Sequence, residues 1–169
     1  QPGERILIHA GAGGVGMAAT QVAELQGAEV FGTASAPKWD TLHSMGLDDA
    51  HIASSRDLTF GKAFREASEG KGVDVVLNAL AREFVDESLA LLGPGGRFLE
   101  MGKTDVREAE WLDEHHPEIR YAAFDLMEAG PERVGEMLRS LGILFETGVL
   151  TPLPAVVYPM GKISEAFRT

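Results

Sequence analysis

The stretch GAGGVGMA, from Gly11 to Ala18, constrains this chain more than any other. Glycines at positions 11, 13 and 16 make G-x-G-x-x-G, directly after the apolar run RILI. Behind the glycines, Val15, Ala18, Ala19, Val22 and Ala23 fall at the spacing of one helix face. A strand that ends in a glycine turn opening a helix is the context in which this motif holds a dinucleotide. One glycine permits the turn, one lets the backbone approach a pyrophosphate, and one lets the helix close on the strand. A helix starting near Gly14 and Val15 aims free N–H groups and the positive end of its dipole at the phosphates. A tight turn with no ligand is the alternative that the motif alone leaves open.

The rest of the chain repeats the alternation of strand and helix. Continuous apolar runs at Arg5–His9, Glu29–Thr33 and GVDVVLNAL suit strands buried on both faces. A short strand near His51–Ala53, the strand RFLEM after a PGG turn, and IRYAAFD complete six. Helices are expected through PKWDTLHSM, around Gly61–Ser68, in FVDESLALL and in PERVGEMLRSLGILFETG, while the charged TDVREAEWLDEHHP reads as a loop. The pattern predicts an α/β protein of three layers, a doubly wound parallel sheet of the Rossmann type in strand order 3-2-1-4-5-6.

Composition narrows the partners. The 169 residues fit one domain with a full core, and acidic residues outnumber basic ones by 26 to 15 for a net charge of −11. That balance argues against nucleic acid, whose affinity comes largely from clustered positive charge. With no cysteine, the chain holds no disulfide, thiolate nucleophile or cysteine-based zinc site. The neighbours His115 and His116 before Pro117 suit a loop rather than a metal site, so no metal is expected. No apolar run approaches the roughly 20 residues of a membrane span, and QPGERI lacks the features of a signal peptide, so a cytoplasmic setting is expected. Gln1 at the start, a strand within four residues, and a tail LPAVVYPMGKISEAFRT that reads as a strand and an incipient helix stopping abruptly point to a piece of a longer chain.

The end of the second strand bears on which dinucleotide binds. NAD sites place Asp or Glu there to accept from the ribose hydroxyls. Val30–Lys38 reads VFGTASAPK and holds no carboxylate, but it offers Thr33, Ser35 and Lys38. Hydroxyl donors and an ammonium suit a 2′-phosphate that a carboxylate would repel, and Ser55 and Arg56 after the third strand would close the same pocket. The expected cofactor is NADPH. Solvated surface roles for Lys38 and Arg56 are the alternatives.

Ligands of such sheets bind outside the carboxyl ends of the strands. Three polar groups reach that edge: Asn78 after the fourth strand, Lys103 after the fifth and Asp125 at the end of the sixth. Asp125 lies in the apolar YAAFDL and needs a partner, for which Lys103 is placed by topology. A loop lysine and a helix-capping aspartate remain open on spacing alone. His9 is expected to pack under the glycine loop, and the acidic run Asp105–Glu114 to form a solvated face.

HAGAGGVGMAA, TASAPKWDTL, SSRDLTF, GVDVVLNAL, GGRFLEMGKTD and YAAFDL together resemble the enoyl reductase domain of modular polyketide synthases. These belong to the zinc-independent, quinone oxidoreductase-like branch of the medium-chain dehydrogenase/reductases. The resemblance runs from about Glu4 to the last residues. It implies an NADPH-binding domain over residues 1–153 and, over 154–169, the start of a return into a GroES-like substrate domain. It also implies reduction of an enoyl thioester on an acyl carrier protein, in polyketide or fatty-acid-like chain synthesis. Lys103 and Asp125 match the residues implicated in protonation, Asn78 and Leu80 the N-x-L segment near the nicotinamide, and Met101 and Gly102 the backbone its carboxamide approaches. Ala79 stands where the family usually has serine. The implied partners are neighbouring synthase domains and the carrier-bound substrate, with a homodimer possible by analogy. A stand-alone quinone oxidoreductase-like reductase, and a cofactor module inactive by itself, are the competing readings.

Overall fold

A computed structural model describes residues 1–167. The elements alternate in chain order: β1 (Arg5–Ile8), α1 (Gly14–Leu25), β2 (Glu29–Ala34), α2 (Trp39–Ser44), β3 (Ile52–Ser54) and α3 (Thr59–Ala67). They continue as β4 (Val73–Asn78), α4 (Glu83–Leu91), β5 (Leu92–Glu100), α5 (Ala109–His115), β6 (Arg120–Ala123) and α6 (Gly130–Glu146). The strands form one sheet in the order β3-β2-β1-β4-β5-β6, and every pairing is parallel. This is the doubly wound fold expected. No helix among the described residues is long and apolar enough to cross a membrane.

Register explains why the strands read as continuous apolar runs. Phe31, Leu7, Val76, Phe98 and Tyr121 pair in sequence across five strands. Because side chains alternate along a strand, these five share one face. That face packs on Phe60 and Phe64 of α3, Val85 and Leu89 of α4 and Leu112 of α5. The neighbouring row, Ile52, Gly32, Ile8, Leu77 and Leu99, faces α1 and α2. Glycine at position 32 makes room for Leu42 and Leu47, whose methyl groups would lie 3.3 and 3.1 Å from a Cβ there.

Three local departures from expectation have physical reasons. AEWLDEH forms α5 rather than loop, because Leu112 buries and Trp111 packs against the core, anchoring a charged helix on one side. The PGG turn lies inside β5: Val73 pairs with Leu92 and Val75 with Arg97, so Gly93–Gly96 bulge out of register. Gly95 adopts φ +77, which glycine takes without strain. No strand forms in the tail, where Val156 and Val157 are exposed. An extended segment needs a neighbouring strand for its N–H and C=O groups, and none pairs with it among the described residues. A four-residue helix, α7 (Ile163–Ala166), follows.

On the flank of β2 and β3, His51 packs on Phe31 with ring centroids 4.6 Å apart. Its ring nitrogens lie 2.7 Å from Asp48 and 3.0 Å from Glu29. Burial opposes charge on His51, but the two carboxylates outweigh it and raise its pKa.

Candidate active site

The glycine loop is built by close backbone contact. Ala10 takes a left-handed φ of 52°, and Gly11 N–H donates to Thr33 O at 2.9 Å, tying the loop to β2. A Cβ on Gly16 would lie 2.5 Å from Ala10 O and 2.6 Å from Gly11 Cα, so only glycine lets α1 approach β1 this closely. Gly14 is different: a Cβ there would meet nothing within 4 Å. Gly13 caps α1 in extended conformation without a side-chain bond, and the helix's bond to its cap runs from Met17 N–H to Gly13 O. The first-turn N–H groups of Gly14, Val15 and Gly16 therefore open toward the loop, beside the exposed Val15 side chain. This cradle fits a diphosphate.

Beneath it the sheet changes character. On the face that carries Phe31, Leu7, Val76 and Phe98, the next residues toward the carboxyl edge are Thr33, His9, Asn78 and Glu100, all buried. An apolar row gives way to a polar one, and every buried side-chain polar atom described has a partner. Ser88 of α4 donates to Phe84 O at 2.6 Å, so its oxygen accepts from His9 Nε2–H at 2.7 Å. His9 Nδ1 is then the acceptor for the Thr33 hydroxyl at 2.8 Å. Burial pushes the His9 pKa down to about 3, so the ring is neutral near pH 7. His9 thus packs between Phe60 of α3 and Ser88 of α4, on the sheet face opposite α1. The Thr33 hydroxyl, expected at a 2′-phosphate, instead points into this network, while the Thr33 carbonyl holds the loop.

The other groups expected around the ribose lie at the ends of adjacent strands. Ser55 N–H donates to Ala34 O at 3.0 Å, which brings the end of β3 beside that of β2. Ser35 caps a single helical turn, Ala36–Lys38, on which Lys38 is exposed. Arg56 is exposed, its N–H bonded to Ser54 Oγ at 3.0 Å.

Asn78 is wholly buried. Its amide donates to Leu80 O at 2.8 Å and to Glu100 Oε2 at 2.6 Å, and its oxygen accepts from Leu80 N–H at 3.2 Å. It therefore shapes the Ala79–Leu80 backbone rather than presenting its own side chain. Met101 N–H donates to Asn78 O at 3.1 Å. Gly102 N–H donates to Glu100 Oε1 at 2.5 Å and is thus occupied by the protein itself.

Lys103 Nζ meets Asp125 Oδ2 at 3.0 Å, the pairing that topology suggested. The setting is more open than YAAFDL implies, with the two side chains 61% and 43% exposed. β6 is an edge strand, so its apolar residues do not enclose the aspartate. Asp125 also caps the turn Leu126–Ala129, accepting from Met127 N–H at 3.0 Å. That bond and the Lys103 ammonium hold its carboxyl below the ordinary carboxylate range.

Two features escaped the sequence reading. Glu100 is a carboxylate buried at the carboxyl edge, and alternation from Phe98 could have flagged it as inward-facing. Arg107 clasps Asp86 of α4 at 2.7 Å and Asp105 at 2.6 Å and lies over Trp111. Asp105 also accepts the Arg82 N–H. The start of the acidic run is thus bound down, whereas Glu108, Glu110, Asp113 and Glu114 are exposed as expected. His115 and His116 pack against Trp111, and no cluster of three or more metal-ligating side chains occurs among the described residues.

A family model described as zinc-binding dehydrogenase matches residues 14–140. The chain is 64% identical over 168 residues to the pikromycin polyketide synthase component PikAII of Streptomyces venezuelae, covering 99% of this chain and 4% of that protein. The structure resembles the CurK enoyl reductase with a TM-score of 0.90 at 47% identity, spanning 99% of this chain and 51% of the other. It also resembles the nucleotide-binding subdomain of the enoylreductase domain of PpsC from Mycobacterium tuberculosis, with a TM-score of 0.79 at 34% identity over 90% of this chain and 88% of the other.

Proposed function

The chain belongs to the zinc-binding dehydrogenase family, in its polyketide synthase enoyl reductase branch, and from that premise we propose that it is the NADPH-binding half of an enoyl reductase. On this reading residues 1–153 bind the cofactor and 154–169 lead into a substrate domain encoded elsewhere in a cytoplasmic synthase. The family's name mentions zinc, but this chain has no cysteine and no ligand cluster among its described residues, so no step is assigned to a metal. The substrate is an enoyl thioester on an acyl carrier protein.

The observation that carries the reading is the Lys103–Asp125 pair at the strand ends, beside Asn78 and Gly102. The first turn of α1, at Gly14, Val15 and Gly16, would hold the diphosphate. Ser35, Lys38, Ser55 and Arg56 would surround the 2′-phosphate, with no carboxylate at the end of β2 to repel it. The backbone at Leu80 and at Met101–Gly102 would flank the nicotinamide. Bound NADPH would supply a hydride to the β-carbon of the enoyl group. Negative charge then grows on the thioester oxygen and α-carbon, where the Lys103 ammonium stabilises it and delivers a proton to the α-carbon. Asp125 orients the ammonium and favours its charged form.

Fluorescence titration of this chain with NADPH and with NADH tests the cofactor assignment. The expected result is saturable binding with NADPH favoured by about tenfold or more, as fits paired charges on one phosphate. No turnover is expected from the chain alone. A preference for NADH would overturn the role given to Lys38 and Arg56.

A further inference from the structure

Glu100 is the one buried carboxylate of the carboxyl edge among the described residues, and the proton transfer described above does not use it. Its neighbours are donors: Gly102 N–H at 2.5 Å on Oε1, and the Asn78 amide at 2.6 Å and the Tyr121 hydroxyl at 3.5 Å on Oε2. Asn78 ends β4, Gly102 precedes Lys103 in the loop after β5, and Tyr121 lies near the start of β6. One side chain thus binds the ends of β4 and β5 at the proposed reaction centre and reaches back to β6. Tyr121 extends the network by accepting Arg107 N–H at 3.2 Å, which links Glu100 to the clasp on α4.

We propose that Glu100 is a positioning residue that holds the Asn78–Leu80 and Met101–Lys103 backbones as the floor of the nicotinamide site. The proposal rests on the NADPH-dependent reading given above. Position 102 is matched to it, because a Cβ there would lie 2.7 Å from Glu100 Oε1. A side chain at this position would push the Glu100 carboxylate off its bonds. The requirement is for an acceptor at both oxygens, which glutamine cannot meet. A glutamine NH₂ would oppose either the Gly102 N–H or the Asn78 amide. Asn78 cannot turn over to relieve this, since both ends of its amide are engaged with Leu80. Either way a buried donor is left without an acceptor, and either the Met101–Lys103 or the Asn78–Leu80 backbone loses its bond to residue 100.

The test uses the full-length reductase and the variants Glu100→Gln and Gly102→Ala. Two readouts separate positioning from general damage: NADPH-dependent turnover of an enoyl thioester, and inhibition by adenosine 2′,5′-bisphosphate, which fills only the far half of the cofactor site. Both variants are expected to lose turnover by about tenfold or more, the scale of one charge-assisted hydrogen bond, with that inhibition constant unchanged within about twofold. Should Glu100→Gln fail to fold, Glu100→Asp decides, since it keeps the charge but draws it back from the Gly102 N–H and the Asn78 amide. Turnover within about twofold of the parent in the folded variants would overturn the assignment, as would equal loss of turnover and of inhibitor binding. A parent that neither turns over nor binds the bisphosphate would overturn the NADPH reading itself, and this inference with it.

Discussion

Acidification from pH 7 to pH 5 should weaken this fold through His9. The ring is buried, neutral and bonded at both nitrogens, with a pKa pushed down to about 3. In the unfolded chain the same imidazole titrates near ~6.5. Between those values only the unfolded state takes up the proton. The neutral ring's contribution is therefore fully present above ~6.5 and is lost progressively as pH falls toward the folded pKa. Linkage puts the loss at about 2 kcal/mol between pH 7 and pH 5, a sizeable part of the roughly 5–15 kcal/mol that keeps a domain folded. His51 acts with the opposite sign. Its raised pKa stabilises the fold below ~6.5, and that contribution is lost as pH rises through the folded value. His51 and the shifted carboxylates, Asp125 among them, also shape the parent's pH profile, so a variant is needed to isolate His9. Urea unfolding of the parent and of His9→Gln at pH 7, 6 and 5 supplies the comparison. The stability gap between them should shrink by about 2 kcal/mol as pH falls to 5. A gap that stays constant, or a His9 resonance that titrates near pH 6 in the folded protein, would refute the reasoning.

Gly16→Ala should lower the melting temperature and weaken NADPH binding by about tenfold or more, because its Cβ meets backbone that cannot rotate away; binding within twofold would remove the cradle argument. Lys103→Ala should leave the melting temperature of this chain nearly unchanged, since an exposed pair contributes little to stability. The same change in the full-length reductase should cut turnover by roughly 10²-fold or more, and unchanged turnover would take lysine out of the proton step. Lys38→Glu should reverse the preference between NADPH and NADH, read by parallel titrations, and an unchanged ratio would make Lys38 a solvated surface residue.

The glycine turn and the strand order were legible because each depends on local signals. Glycine spacing reports backbone approach, and apolar runs report burial on both faces of a parallel strand. Lys103 and Asp125 were within reach for a related reason: strand order alone puts the ends of β5 and β6 side by side. Thr33 shows where that kind of inference stops. Its position at the end of β2 was clear, but which way its hydroxyl points depends on His9 and Ser88, the latter 55 residues further along the chain. The helix through Leu112 was hidden by the charge around it and is held by packing that no local pattern reports.

By itself the sequence determined a doubly wound parallel sheet, a glycine turn opening a helix after its first strand and the ionic pair at the far strand ends. These follow from periodicity, glycine spacing and chain order, which are properties of the chain read in one dimension. Tertiary structure alone decided that Thr33, His9, Asn78 and Glu100 share one buried row, and that Glu100 occupies the Gly102 N–H. The physical reason is register. Parallel strands distant in sequence must align before buried donors and acceptors can find one another, and only in the folded sheet does each gain its partner.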